Sequence, residues 1–157
     1  RHMARGHSIG RLRPGVRAEH AELGILDSAT NESFLLHGVK GGREVAHKIC
    51  SKGFDERVSH LEGLYGGGIY FAEQSCKALQ YAAADQQGLR YMLCSRVTLG
   101  EVHRPTGNLK GERLAPSGCD SVVADSGVAN AGQQNHREFI VYDKNQTYPE
   151  FLITFTT

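Results

Sequence analysis

The sequence predicts an α+β domain made of mainly antiparallel sheets with few helices. Apolar runs of strand length outnumber segments with helical periodicity. The predicted strands do not alternate regularly with helices, which argues against a doubly wound parallel sheet. Residues 91–99 show the period-two pattern that is typical of a half-buried strand.

Composition fits one soluble domain. With 157 residues and 39% apolar content, the chain can form one sizeable core, which we expect over residues 9–157. A formal charge of +1 is too small for nonspecific nucleic-acid binding, and no apolar stretch is long enough for a membrane span or placed as a signal peptide. Residues 1–8 read as a tag remnant or as a native disordered end. We therefore expect no direct nucleic-acid or membrane partner.

The cysteines indicate neither a disulfide framework nor a metal site. Cys50, Cys76, Cys94 and Cys119 form no CxxC pair and no Cys/His cluster at metal-ligand spacing. We interpret them as reduced structural thiols of an intracellular, reducing compartment, cytoplasm or nucleus.

The first well-marked element is a short strand. After a weak apolar pattern at 16–26, the apolar run 34–36 is stopped by His37 and Gly38, which predicts a buried strand with His37 at its end. Residues 43–51 read as a helix with Val45, Ile49 and Cys50 inward, ended by Gly53.

Three glycines at 66–68 lead into a second apolar strand at 69–72. Ser75 can cap a following helix with two unlike faces. One face carries Lys77, Ala78 and Tyr81, and the other carries Leu79, Ala82 and Ala83.

The rest of the chain predicts strands separated by turns. The strand at 91–99 ends at Gly100, and residues 103–136 should be mostly loop with a brief strand at 121–123. Two more strands follow at 139–142 and 150–155, with the turn formers of 143–149 between them.

Three residues at the ends of different predicted strands are candidates for a site, and each has a structural alternative. His37 can be plain architecture, and Tyr70 can be a core aromatic. Glu138 heads an apolar strand, where a charge must be paired or used, so a salt-bridged strand end is its alternative.

Their joint occurrence in order changes this interpretation, because the local sequences resemble the poly(ADP-ribose) polymerase family, with tankyrase as the nearest member. The similar segments cover about residues 32–156. They are FLLHG at 34–38, GFDER at 53–57, GGGIYFA at 66–72, REFIVYD at 137–143 and QTYPEFLI at 146–153.

The resemblance implies an ADP-ribosyltransferase fold of two packed sheets with NAD, as a substrate, in the cleft between them. It implies a His-Tyr-Glu triad at His37, Tyr70 and Glu138, with Glu138 at the nicotinamide ribose and His37 at the adenosine ribose. Tyr70 and Tyr81 would sandwich the nicotinamide ring, and the backbone of Gly38 would hold its carboxamide. The remaining residues that it places near NAD are Phe71, Ala78 and Tyr65.

The implied activity is cleavage of nicotinamide from NAD and transfer of ADP-ribose to acceptor proteins, including the enzyme itself. The glutamate at the third triad position further implies extension to poly(ADP-ribose), and nicotinamide mimics would inhibit. Lys77 matches a family lysine on the acceptor side, although a solvated helix lysine is its alternative. No metal is expected, because residues 82–90 lack the tankyrase zinc-binding insertion.

Two departures from the family pattern leave a second hypothesis open. Val39 and Ala78 stand where the family commonly has serine, and the second serine holds the carboxamide. If these losses abolish turnover, the domain would only bind NAD, ADP-ribose or a protein partner.

Overall fold

The structure is a computed structural model that describes residues 25–128 and 136–156. The interpretation of residues 1–8, and most of the weak helical pattern at 16–26, lie outside these ranges. Within them the chain forms seven strands and two α-helices. In chain order these are β1 (Glu32–Gly38), α1 (Gly42–Lys52), β2 (Ile69–Phe71), α2 (Ser75–Leu79), β3 (Arg90–Thr98), β4 (Val102–His103), β5 (Ser121–Ala124), β6 (Glu138–Val141) and β7 (Thr147–Phe155).

The strands make two sheets, one of order β1-β3-β7 and one of order β2-β6-β5-β4. Every pairing is antiparallel except that of β4 with β5, which is parallel. The predicted α+β class with mainly antiparallel sheets is confirmed. The sequence patterns did not indicate β4, because two residues are too few to show periodicity.

The main core lies between the two sheets, with side chains supplied by both. Tyr91, Leu93 and Val97, which alternate along β3 in the period-two pattern, are all buried there. They meet Phe71 and Phe139 from the other sheet. A second apolar cluster covers the opposite face of β5 and β6, so both strands are buried on both faces. It consists of Tyr65, Val122, Ala124, Ile140 and Tyr142.

The inward face of α1 differs from the expectation. Ala46 is buried and Ile49 packs against the main core, whereas Val45 and Cys50 are exposed. Ala46 and Ile49 are three residues apart and share one stripe of the helix, so Val45 and Cys50, next to them in sequence, turn away from it. The predicted end is confirmed, because Gly53 has a positive φ of 79° and donates its N–H to the Ile49 carbonyl at 2.8 Å.

The start of α2 also differs from the expectation. Gln74, with extended backbone, occupies the cap position that was predicted for Ser75, and it makes no side-chain capping hydrogen bond. Its amide oxygen instead accepts a hydrogen bond from the His136 ring at 2.7 Å. A tertiary contact therefore replaces the local cap.

The last strand begins earlier than predicted. Only a short 3₁₀ turn at Lys144–Gln146 separates β6 from β7, and Pro149 lies inside β7 rather than in the turn. A proline lacks the N–H that a central strand needs, but β7 is at the sheet edge and pairs only with β3. The register shifts at this point, between Cys94 and Ser95 of β3.

The four cysteines are free thiols, and Cys50 is exposed. Burial raises the pKa of Cys94 to about 11, with the nearby Glu150 charge adding to the effect. None of the helices in the described part of the chain is long and apolar enough to cross a bilayer.

Two fully buried serines allow a matched test of the core. Ser95 and Ser121 are both 0% exposed. The Ser121 hydroxyl donates a hydrogen bond to the Leu99 carbonyl at 2.7 Å, whereas the Ser95 hydroxyl has no hydrogen-bond partner among the described residues. We expect Ser121→Ala to lower the free energy of unfolding by roughly 1 kcal/mol or more, and Ser95→Ala to leave it unchanged or raise it. Urea unfolding of both variants measures the difference. Equal destabilisation by the two substitutions would contradict it.

Candidate active site

Strand pairing brings the three predicted triad residues onto neighbouring strands. Tyr70 of β2 pairs with Ile140 of β6, and Glu138 begins β6. An isolated bridge joins β1 to the end of β2, where Leu36 and Ala72 exchange two N–H to carbonyl bonds of 2.8 and 2.9 Å. His37 of β1, Tyr70 of β2 and Glu138 of β6 therefore lie on three strands that meet at one place in the fold.

His37 is held as a neutral hydrogen-bond acceptor. Its Nδ1 lies 2.8 Å from the Tyr70 carbonyl, which can only accept, so Nδ1 carries the proton. Burial lowers the pKa of His37, opposed in part by this backbone hydrogen bond. The rings of Phe54 and Phe71 lie beside the imidazole, with centroids 5.0 and 5.7 Å away. In this neutral tautomer Nε2 is an acceptor suited to a hydroxyl donor.

The Tyr70 hydroxyl is fixed by the loop that precedes its own strand. It donates to the Gly66 carbonyl at 2.8 Å and accepts the Tyr65 N–H at 2.9 Å. Burial is the main reason that the pKa of Tyr70 lies far above its usual range, and the Glu138 charge is one of the smaller causes. A Cβ on Gly63 would lie 2.5 Å from the hydroxyl oxygen, so the glycines let the loop close around it.

Glu138 is a buried carboxylate that pairs with a lysine. Its residue is 4% exposed, and its Oε1 lies 2.7 Å from Lys77 Nζ. Burial by itself would lower the pKa of Lys77, but the hydrogen bond to Glu138 and its charge outweigh burial and raise it. The solvated-lysine alternative for Lys77 is wrong, since its side chain is only 14% exposed. The salt bridge that was the structural alternative for Glu138 is present, with Lys77 as the partner.

Tyr81 lies beside this ion pair with its ring accessible. Lys77 Nζ is 5.2 Å from the ring centroid and 3.4 Å from the hydroxyl oxygen. Tyr81 is 51% exposed and follows the end of α2 at Leu79. The ring can therefore stack on a flat ligand, with Lys77 already near its face.

Ala78 and Gly38 contact each other instead of lining open space. The helical spacing had suggested that Ala78 and Tyr81 share one face. Ala78 is instead 3% exposed and packs with Leu36 and Met92, whereas Tyr81 is exposed. A Cβ on Gly38 would lie 1.9 Å from the Ala78 carbonyl oxygen. Gly38 is thus required for the close approach of α2 to β1.

Two further predicted NAD contacts, Tyr65 and Phe71, have their side chains in the core. Tyr65 is 0% exposed within the cluster under β5 and β6, and Phe71 is 2% exposed. The resemblance placed both residues near NAD, but in this structure their side chains pack in the core. Tyr65 still supports the site, because its N–H holds the Tyr70 hydroxyl and its carbonyl accepts the Tyr142 hydroxyl at 2.6 Å.

The sequence interpretation missed three polar residues next to the ion pair. His136 donates through Nδ1 to the Gln74 amide oxygen, and the Cys76 sulfur lies 3.9 Å from both ring nitrogens of His136. The one available signal was position, because His136 stands two residues before Glu138 and Cys76 one before Lys77. Neither residue has metal-ligand or catalytic spacing by itself.

Phe54, beside the His37 ring, also lines a cleft that borders this site. This cleft of about 410 Å³, here called the α1–β7 cleft, contains none of the predicted site residues. Its lining includes Lys52, Phe54, Arg96, Lys144 and Tyr148. Within the described ranges no three His, Cys, Asp or Glu side chains come together as a metal site.

Known proteins match most of the chain. A family model described as the poly(ADP-ribose) polymerase catalytic domain matches residues 17–157. The human protein mono-ADP-ribosyltransferase PARP12 is 34% identical over 82% of this chain and 18% of its own length. The human protein mono-ADP-ribosyltransferase PARP11 is 31% identical over 80% of this chain and 41% of its own length.

A plant relative carries a different description. It is the "Probable inactive poly [ADP-ribose] polymerase SRO2" of Arabidopsis thaliana, 32% identical over 73% of this chain and 36% of its own length. The chain therefore spans less than half the length of each of these relatives. Since the family model covers more than half of the chain and the structure has two mainly antiparallel sheets, the ADP-ribosyltransferase fold is confirmed. The chain belongs to the poly(ADP-ribose) polymerase catalytic-domain family.

Proposed function

We propose that this domain cleaves nicotinamide from NAD and transfers the ADP-ribose to protein side chains. The observation that carries the proposal is the buried carboxylate of Glu138. It lies on β6, the strand that pairs with the strand of Tyr70, and it contacts Lys77 of α2. A charge at 4% exposure is costly unless it is paired or used, and this one is next to an accessible aromatic ring. Family membership supplies the substrate class for such a site.

The residues present fit NAD by their chemistry. The His37 Nε2 acceptor would take a hydrogen bond from a ribose hydroxyl, and the half-exposed Tyr81 ring would stack on the nicotinamide. Tyr70, with its hydroxyl anchored in the glycine loop, would form the other wall of the sandwich. These assignments use functional groups that the fold leaves free to contact a ligand.

Glu138 would stabilise the transition state electrostatically. Breaking the bond between nicotinamide and ribose develops positive charge on the sugar, which a fixed carboxylate in a water-poor site stabilises strongly. Lys77 compensates the buried negative charge and fixes the orientation of the carboxylate through the 2.7 Å contact. The same pair lies at the end of β6, where an acceptor side chain could approach.

We further propose that single ADP-ribose units are transferred. The expectation of polymer rested on glutamate at the third triad position, whereas PARP12 and PARP11 are both named mono-ADP-ribosyltransferases. The Lys77 contact supports this choice, because it occupies one carboxylate oxygen that would otherwise be available to activate a sugar hydroxyl for elongation.

A non-catalytic binding domain is the second candidate, favoured by the name of the plant relative. The two departures that raised it, Val39 and Ala78, are 1% and 3% exposed and pack in the core. Because both side chains are buried while the Tyr81 ring is exposed, the two substitutions leave the accessible ring in place, which supports an active enzyme over a binding domain.

Incubation with labelled NAD tests the proposal. We expect the parent protein to release nicotinamide and to label protein as discrete single units on a gel. Glu138→Gln should lower both by about 10² to 10³, because a preorganised charge contributes roughly that much to the rate. Glu44→Gln, on α1, is the control and should stay close to the parent. Absence of nicotinamide release by the parent would favour the binding domain, and a polymer ladder would overturn single-unit transfer.

Truncation of Tyr81 tests the stacking assignment. Tyr81→Ala should weaken benzamide binding about two- to tenfold, since aromatic stacking contributes roughly 0.5 to 1.5 kcal/mol beyond area burial. Tyr148→Ala is the matched control, because Tyr148 is also exposed, at 65%, but lies on β7 by the α1–β7 cleft. Calorimetric titration of both variants gives the comparison. Equal affinities would remove Tyr81 from the site.

A further inference from the structure

A row of alternating charges crosses the sheet of order β2-β6-β5-β4 at the edge where Glu138 begins β6. Glu73 lies two residues after β2, Arg137 directly before β6, Asp125 directly after β5 and Arg104 directly after β4. Arg137 Nε donates to Asp125 Oδ1 at 2.6 Å, and Arg137 Nη1 lies 3.6 Å from Glu73 Oε1. Arg104 Nη1 donates to Asp125 Oδ2 at 3.2 Å. These four side chains, here called the strand-end ion row, follow one another in the order of the strands.

The strand pairings hold the first residue of β6 on one side. Glu138 pairs with Ala124, the last residue of β5. On the other side, the pairing of β2 with β6 stops one residue short of Glu138. Ala72, the next residue after β2, exchanges its backbone hydrogen bonds with Leu36 of the other sheet. In these pairings of the described strands, the backbone of Glu138 is therefore fixed against β5 but not against β2.

Arg137 supplies a connection to both neighbouring strands at this point. It is bonded to Glu138 through the chain, and its guanidinium contacts Asp125 on the β5 side and Glu73 on the β2 side. A guanidinium carries its N–H donors in a rigid fork, so one side chain can hold two carboxylates at once. The hydrogen bond from Arg137 is the largest of the causes that lower the pKa of Asp125.

The contact with Glu73 connects the two segments that carry the Lys77–Glu138 pair. Glu73 directly precedes Gln74, the cap position of α2, and Lys77 is in α2. The 3.6 Å contact of Arg137 with Glu73 and the 2.7 Å contact of Lys77 with Glu138 therefore join the same two segments. Loss of the first contact would let the start of β6 move relative to α2, and the carboxylate would move with it.

We propose that Arg137 is a positioning residue, which fixes the Glu138 carboxylate where positive charge develops on the ribose. This inference rests on the proposed transferase function. Arg137 acts through the backbone of Glu138, while Asp125 and Glu73 compensate its own charge. The side chains of Arg137 and Asp125 are 29% and 47% exposed, and ion pairs of this kind contribute little to stability. Its removal should therefore affect turnover more than folding.

Steady-state nicotinamide release by Arg137→Gln and Arg104→Gln tests the positioning role. Both substitutions remove one cation from the strand-end ion row, but Arg104 contacts Asp125 from the β4 side, away from β6. Arg137→Gln should lower kcat about tenfold or more, because a misplacement of about 1 Å can cost up to 10² in rate. It should leave KM for NAD within about twofold. Arg104→Gln should leave both constants within about twofold, and equal kcat values in the two variants would overturn the proposal.

A double-substitution cycle tests whether Arg137 acts through its contact with Glu73. Glu73→Gln alone should lower kcat in the same direction as Arg137→Gln. The protein with both substitutions should be no slower than Arg137→Gln, because both remove the same contact. Independent effects that multiply in the double variant would contradict this route. Circular dichroism and urea unfolding of each variant check that the fold is retained.

Crystal structures of Arg137→Gln and Arg104→Gln separate the two proposals. The Lys77 Nζ to Glu138 Oε1 distance should exceed about 4 Å in Arg137→Gln and stay near the 2.7 Å contact distance in Arg104→Gln. No nicotinamide release from the parent overturns the proposed function, and the two structures then still decide whether Arg137 positions the carboxylate. Turnover by the parent, with kcat and the Lys77–Glu138 contact unchanged in Arg137→Gln, overturns the positioning role alone.

Discussion

Two backbone hydrogen bonds between Leu36 and Ala72 determine where the site is. They join the end of β1 in one sheet to the end of β2 in the other, and β2 is in turn paired with β6. Without this bridge His37 would belong to one sheet, while Tyr70 and Glu138 belong to the other. The bond from His37 to the Tyr70 carbonyl forms because the bridge sets the two strands side by side. The close contact of Gly38 with Ala78 then brings α2, with Lys77 and Cys76, to the same place.

Around this junction, each buried polar group has a partner, and the partners determine which atoms or rings can still contact a ligand. The Tyr70 hydroxyl is fully used by the glycine loop, so Tyr70 contributes a fixed ring. Desolvation lowers the pKa of His37 and keeps the ring neutral, so it contributes an acceptor. The Glu138 carboxylate is paired with Lys77, and removal of either partner would leave an uncompensated buried ion. The arrangement offers a carboxylate, an acceptor and an aromatic surface, which suits a ribosyl cation that forms next to a flat leaving group.

The sequence predicted most of the strands well, because strand patterns are local, whereas the triad assignment came from the family resemblance and stays a prediction. Apolar runs placed β1, β2, β3 and β6, and the glycine cap of α1 was read from one residue. What failed depended on tertiary contacts. Gln74 occupies the cap position of α2 that was predicted for Ser75, and its side chain binds His136 instead of the helix end. Tyr65 lies in the core instead of the cleft. The Cys76–His136 pair was invisible because its members are 60 residues apart, and no periodicity links them.

The proposed function depends most on where the nicotinamide end of NAD binds, and a crystal structure with a non-hydrolysable NAD analogue tests this directly. We expect the nicotinamide ring against Tyr81, a ribose hydroxyl within hydrogen-bond distance of His37 Nε2, and the nicotinamide ribose at Glu138. Electron density for the analogue in the α1–β7 cleft, between Lys52 and Lys144, with the Tyr81 ring bare, would contradict the account.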